Sequence, residues 1–447
     1  MKKLFLTILL TCFVCNISFA VSVTIYNNDL ALIKDKQDIK LKKGIQKIEI
    51  DNVSTNIDPT SVLPKFSNNN DKIKINEQNF DYDLVNTNKL LQQYIGKDIE
   101  IERESNSKKE VVSGKLLAVS GGMVLQSKDK IILNPSGEVS LPKLPEGLRL
   151  KPTLSWVVDS QVEGNNNLEF TYQTSGISWN SDYVVVLADN DSNLDINGWV
   201  TINNFSGATY DNANLKLVAG DVNIVREQTR KLYAKNMVMA SAEGAAVDEA
   251  FEERSLFEYH MYDLSRKTTI KNNEKKQIQL ITAQKVPAKK KYVYNSYNST
   301  DKVYAFLTFK NDKKSNLGIP LPKGKIRVYK NDGNSLEFVG EDKIDHTPEN
   351  KDIDLKLGKV FDISVVRTQT DYRKYSSAGH QETNIIQLSN SKKEDIEIEV
   401  EENLGLGWRI LEMSDKYEKK NSQTIIFKIK VPANETYQLT YTVKYTK

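Results

Sequence analysis

The chain has 447 residues, with 62 Lys and Arg against 59 Asp and Glu for a net charge of +3; 39% are hydrophobic and 27% charged. That length allows about two to four domains with real cores, and the composition excludes wholesale disorder. Beyond the extreme N-terminus no apolar run approaches the roughly 20 residues of a membrane-spanning helix, which excludes a multi-pass membrane protein.

The chain opens on Lys2-Lys3, an apolar stretch over residues 4–15, and the triplet Ser18-Phe19-Ala20. A basic start, a short apolar run and small residues at the cut mark a secretory leader. Residues 1–20 therefore read as a signal peptide cleaved between Ala20 and Val21. Cleavage removes Lys2 and Lys3, taking the charge from +3 to +1, and removes Cys12 and Cys15, the only cysteines. The expected product is an exported, thiol-free protein, periplasmic, associated with the cell envelope or secreted, and stabilised without disulfides. It has no transmembrane segment, and its near-zero charge argues against nucleic acid as a partner.

Residues 21–85 read as an N-terminal β region, with Val21, Val23 and Ile25 alternating and Ile48 with Ile50 as a possible neighbour. Residues 86–150 read as a short helix plus a small β-barrel of the SH3 or Sm-like type. Asn86 or Thr87 caps the helix, Leu90, Leu91, Tyr94 and Ile95 form its apolar face, and Gly96 stops it. Short strands at 99–101, 111–112, 116–117 and 123–125 follow, joined by polar or glycine turns.

Residues 151–310 read as a β-sandwich. Leu168, Phe170 and Tyr172 alternate, 183–187 is a continuous apolar strand, and Leu194, Ile196, Val200 and Ile202 alternate around Gly198-Trp199. Residues 225–256 have no sheet periodicity and read as a mobile excursion ending in a short acidic helix near 248–254. Residues 311–447 read as a C-terminal β-sandwich. There, Ile396, Ile398 and Val400 alternate with acids, Phe427, Ile429 and Val431 with lysines, and Leu439, Tyr441 and Val443 with threonine and lysine. The acidic and basic outer faces are expected to pair across a sheet. The fold class is mainly β: antiparallel β-sandwich domains with a small SH3/Sm-like barrel insert and few short helices.

The catalytic inventory is thin. Without cysteine, the mature chain has no thiol nucleophile, zinc–thiolate site or iron–sulfur cluster. No HExxH, GxSxG, phosphate loop or dinucleotide fingerprint occurs, so no metal site or cofactor is expected. Of the three histidines, His346 and His380 read as loop residues. His260, in Glu258-Tyr259-His260-Met261-Tyr262-Asp263, is the least implausible catalytic residue, with Glu258 on the same strand face and Asp263 nearby. Trp179, Trp199 and Trp408 read first as packing residues and second as a sugar-stacking surface. Lys285 and Lys289-Lys290-Lys291, beside Tyr292 and Tyr294, read as a solvated strand edge that blocks aggregation.

The stretch Gly176-Ile-Ser-Trp179-Asn-Ser-Asp-Tyr183, then Gly198-Trp199, Asn203-Asn204, Ser206-Gly207 and Leu215-Lys-Leu217-Val-Ala-Gly220-Asp-Val-Asn223, resembles the domain of unknown function 4139 of bacterial exported proteins, distantly mucoidy-inhibitor-like. The resemblance extends over roughly residues 85–445. It implies a β-sandwich region and an exported bacterial protein, and it brings no catalytic residues with it. Trp179, Tyr183, Gly198, Trp199, Gly207 and Gly220, which carry it, read as structural: Gly198 as a bulge or room for a ring, Gly207 as a turn with positive φ. The expected function is non-catalytic, an interaction or structural protein whose partner is a protein or other envelope component. An envelope hydrolase acting on glycan or peptide and a carbohydrate-binding module stay open beside it.

Overall fold

The computed structural model describes residues 21–82, 85–105, 108–143, 145, 148–220, 222–223, 251–256, 259–297, 301–333, 335–375 and 379–446. The leader with Ala20, residues 224–250 of the expected excursion, and Glu258 lie outside them. The described chain is mostly β, built of several largely antiparallel sheets, with one α-helix among the described residues.

The first sheet runs in the order Phe251–Leu256, Tyr259–Leu264, Tyr210–Ala219, Ser22–Tyr26, Leu30–Leu41, Gly164–Thr174, Leu63–Phe66. Alternation places the N-terminal strand inside it: Val23 and Ile25 are buried, while Ser22, Thr24 and Tyr26 face outward. That strand is antiparallel to Leu30–Leu41 and parallel to Tyr210–Ala219. Two more parallel pairs join Ile177–Leu187 to Gly324–Asn331 and Glu274–Asn295 to Ile396–Asn403. Period two fixes which face a residue takes, not the direction of the neighbouring strand.

A three-stranded sheet, Gly44–Asp51, Thr153–Ser160 and Ile73–Asp81, and part of a thirteen-stranded sheet complete the first core, around Trp156, Phe170, Trp179 and Tyr183. The second core is C-terminal, around Ile386, Ile398, Phe427 and Val443. Three long strands serve both. Glu274–Asn295 gives Ile278 and Val286 to the first core and Tyr292 and Tyr294 to the second. Lys302–Asn311 and Lys351–Lys374 divide their buried residues in the same way. The passage from one sandwich to the other is thus made within strands.

The small module has a third core of its own: Tyr94, Ile99, Ile101, Leu116 and Leu125. Its helix, Thr87–Gln93, is capped by Asn86, whose side chain accepts the Lys89 backbone N–H at 3.0 Å. Five antiparallel strands follow in the order Glu138–Ser140, Asp98–Ser105, Lys108–Ala118, Val124–Ser127, Lys130–Leu133. A helix thus precedes five strands ordered 5-1-2-3-4, with no pairing between the two end strands among the described residues. Two details differ from expectation. Residues 111–112 and 116–117 belong to one strand, and Ile95 is exposed because the helix has already ended at Tyr94.

One further expectation is overturned. Residues 251–256 form neither a helix nor part of an excursion: they are a strand paired along its length with Tyr259–Leu264, where Phe251 is buried. The lysine run lies inside a long strand, yet Lys289, Lys290 and Lys291 are registered on one side only, to Lys302–Asn311. Within Glu274–Asn295, residues 274–287 pair with Asn193–Asn204 and residues 288–294 with Lys302–Asn311, while residues 292–295 also pair with Ile396–Asn403 on the side opposite Lys302–Asn311. Its lysines are tolerated there because Lys290 bridges Asp191 at 2.7 Å and Lys291 lies 3.6 Å from Asp354.

Candidate functional site

The outward face of the first sheet carries a cleft. Ser22 is registered between Lys34 and Asn214, and Thr24 between Leu32 and Lys216. These side chains face outward because their neighbours Val23, Ile25, Ile33, Leu215 and Leu217 are locked into the core. With Lys36 they line a cleft of about 480 Å³. The lining holds three ammonium groups, two hydroxyls, one side-chain amide and no carboxylate.

Acids stand just outside it. Glu169, opposite Lys36 in register, accepts from the Lys34 Nζ at Oε1 (2.8 Å) and from the Lys36 Nζ at Oε2 (3.0 Å). The Lys34 hydrogen bond, opposed by burial and reinforced by Lys36, holds the Glu169 carboxyl below the usual range. On the other flank, Asp263 Oδ2 accepts from Arg254 Nε at 2.7 Å, while its Oδ1 is 3.9 Å from Lys216 Nζ, an ion pair without a hydrogen bond. Lys216 is therefore only partly neutralised.

Of the catalytic grouping read from the sequence, Glu258 lies outside the described residues, and His260 and Asp263 fall on opposite faces of one strand. Alternation along Tyr259–Leu264 puts Asp263 on the outward face with Met261, opposite Lys216, and His260 on the other face with Tyr262 and Leu264. The carboxylate that reaches His260 is Glu253 of the adjacent strand, Oε1 to Nδ1 at 2.7 Å. Cross-strand pairing, invisible in a linear motif, chose that partner. His380 is not a loop residue: it begins the strand His380–Asn390, stacks on Tyr445 (4.4 Å between ring centroids) and has the Tyr372 ring tilted against it (5.2 Å). His346 is a loop residue whose Nδ1 accepts the Lys323 N–H at 3.2 Å.

The motif residues have packing roles. Trp179 is buried, donates Nε1–H to the Val218 carbonyl at 3.3 Å and meets Tyr262 edge-on. Tyr183 is fully buried and donates its hydroxyl to the Pro322 carbonyl at 2.8 Å. A side chain at Gly198 would meet Ile281 at 2.7 Å and the Tyr183 ring at 3.0 Å, and the register shifts between Gly198 and Trp199. Gly207 has φ of +85° and is approached closely by Thr55. Gly220 ends a strand beside the Tyr259 ring, and Trp199 is half-buried on the outer face of its sheet. A sugar platform built on Trp179 is removed by its burial.

Sequence reasoning missed a buried polar group in the C-terminal sandwich. Glu402 is 1% exposed; its Oε2 accepts from Tyr441 (2.6 Å) and from Arg367 Nε (3.2 Å). Burial raises the Glu402 carboxyl above its ordinary range, against the pull of Arg367 and Tyr441. Burial likewise pushes the Tyr294 hydroxyl up to about 12. Ser296 lies beside Glu402, yet Oε1 has no donor in hydrogen-bonding geometry among the described residues. One signal was present: Glu402 continues the buried parity of Ile396, Ile398 and Val400.

Among the described residues no group of three or more His, Cys, Asp or Glu is placed to hold a metal ion, and no helix is long and apolar enough to cross a membrane. The cleft can bind and neutralise an anion. Lys34, beside Ser22 in register, directs its ammonium at Glu169, so it acts there as a donor rather than as a base for the hydroxyl. No protein-family model matches the chain, and comparison with curated proteins finds no match.

Proposed function

We propose that this is an exported, non-catalytic protein of the bacterial cell envelope that holds an anionic partner against the outward face of its first sheet. The cleft carries the reading: cations and hydrogen-bonding groups sit on strands whose opposite faces are fixed in the core. A rigid sheet presents such groups at constant spacing, which suits recognition. The attraction is local, since the chain without its leader has a net charge of only +1. The order of basic, apolar and small residues over 1–20 supports export, as does the resemblance of the Trp179-to-Asn223 segment to an exported bacterial family.

The test is retention on isolated cell envelopes. The chain from Val21 onward is expected to co-sediment with them, and K34E combined with K216E is expected to release it without loss of the β circular dichroism. Equal retention of this double variant would overturn the reading.

A further inference from the structure

The anion seat in the cleft is already filled from within the chain. Each oxygen of Glu169 takes one ammonium: Oε1 that of Lys34 at 2.8 Å, Oε2 that of Lys36 at 3.0 Å. Glu169 stands on Gly164–Thr174, the strand beyond Leu30–Leu41, and its side chain is only 19% exposed. The two lysines are 48% and 42% exposed and face the cleft on their other side. They lie between a resident carboxylate and an open, acid-free lining.

We propose that Glu169 is an internal counter-ion that restrains the cleft, and that the ligand is an acidic polysaccharide of the polyuronate class whose carboxylate competes with Glu169 for Lys34 and Lys36. This rests on the function proposed above. The carboxylate assignment comes from the seat, where two ammoniums match two oxygens of one planar anion. The saccharide assignment comes from the rest of the lining: Ser22, Thr24 and Asn214 pair with ring hydroxyls, and Leu32 offers a small apolar surface to a ring face. Lys216 lies two strands across and two residues along from Lys34, roughly 12 Å away at ordinary strand spacings, so a ligand with repeated charges engages both ends.

Binding of polygalacturonate, poly-glutamate and neutral dextran to the chain from Val21 onward tests this. The parent is expected to bind polygalacturonate and not dextran. E169Q, which keeps the side chain's shape, is expected to bind roughly three- to tenfold tighter at low salt, with the gain lost in about 1 M salt. K36Q is expected to bind more weakly. E169T serves as a second removal of the carboxylate should E169Q fold poorly. Unchanged or weaker binding by both Glu169 variants overturns the counter-ion while leaving the proposed function standing. Poly-glutamate bound as tightly as polygalacturonate overturns the saccharide assignment, as does failure of polygalacturonate to bind a parent that is still retained on envelopes. Loss of envelope retention by the parent overturns the function itself.

Discussion

Three buried asparagines do the same work at three strand ends. The Nδ2 of Asn204 donates to the carbonyls of Ala208, Ile270 and Lys271, and its Oδ1 accepts the Ser206 N–H. Asn311 serves Ile319, Thr347, Pro348 and the Gly318 N–H; Asn390 serves Glu394, Val431, Pro432 and the Lys392 N–H. Each side chain satisfies backbone groups of separate segments that are hidden from water. Replacing Asn390 by Ala leaves those groups unpaired and is expected to cost about 2–4 kcal/mol. N390D should do no better near neutral pH, since it sets a carboxylate against carbonyl oxygens. Urea unfolding measures both, and a loss under about 1 kcal/mol would mean that water replaces the amide freely. Glu402 gives a pH signature. Its folded-state pKa is raised, so its contribution is full below the ordinary carboxylate range and is lost as pH rises through the folded value. E402Q has no such charge to bury. The melting temperature of E402Q relative to the parent should therefore climb between pH 5 and 8; a decline would show that attraction to Arg367 outweighs desolvation.

The small module enters and leaves through two hydrogen-bonded neighbours, Ile73–Asp81 and Thr153–Ser160, and Arg149 fastens its exit. The Arg149 guanidinium bonds Glu49 at 2.7 and 3.1 Å and Asp81 at 3.2 Å, while its carbonyl accepts the Val85 N–H. Hydrogen bonds from Arg149 and Lys47 pull the Glu49 carboxyl down to about 2. A lowered carboxylate contributes above its unfolded pKa and loses that contribution as pH falls toward about 2. These side chains are partly exposed, so screening keeps the stability effect below about 1 kcal/mol. The expected effect of R149A is instead local: faster amide exchange at Val85 and Thr153 above pH 5, with the module core around Ile101 unchanged. Uniform exchange across all three sites would remove the clamp. At this scale much of the strand content was legible, since Ile396, Ile398 and Val400 or Val23 and Ile25 declare their buried face by alternation. The helix was legible through Asn86 and Gly96. Neighbour order was not, because a strand such as Glu274–Asn295 has the same period in the middle of a sheet as at its edge. The short strand Phe251–Leu256 hid for a different reason: it is short and poor in apolar residues, and its contacts to Tyr259–Leu264 include a hydrogen bond between Glu253 and His260 and an ion pair between Arg254 and Asp263. For the cleft, the lysines were visible and their shared face was not, because Lys34 and Lys216, about 180 positions apart in the chain, are brought together only by the strand Ser22–Tyr26 that pairs with both of theirs.

The three long strands decide how the molecule unfolds. A linker between sandwiches would let each core melt alone, since few contacts would cross it. Here Glu274–Asn295, Lys302–Asn311 and Lys351–Lys374 carry one hydrogen-bonded ladder from the first core into the second. Opening the C-terminal core strips the partners from Tyr292 and Tyr294, while the same strand still holds Ile278 and Val286 in place. Both cores are therefore expected to unfold in one calorimetric transition, with amides at Val185 and Val443 sharing one opening free energy. The small module should behave otherwise. Its core has five fully buried side chains, worth roughly 2 kcal/mol each before chain entropy is subtracted, and it is joined to the body at one place. Amides at Ile99 and Leu116 should exchange through a separate opening of lower free energy. Val293 sits at the junction, registered to Tyr304 on one side and Glu399 on the other. V293P removes a ladder donor there and should split the single transition into two, with the C-terminal core melting first. A V293P protein that still melts in one step would show that the cores are coupled by something other than the strands they share.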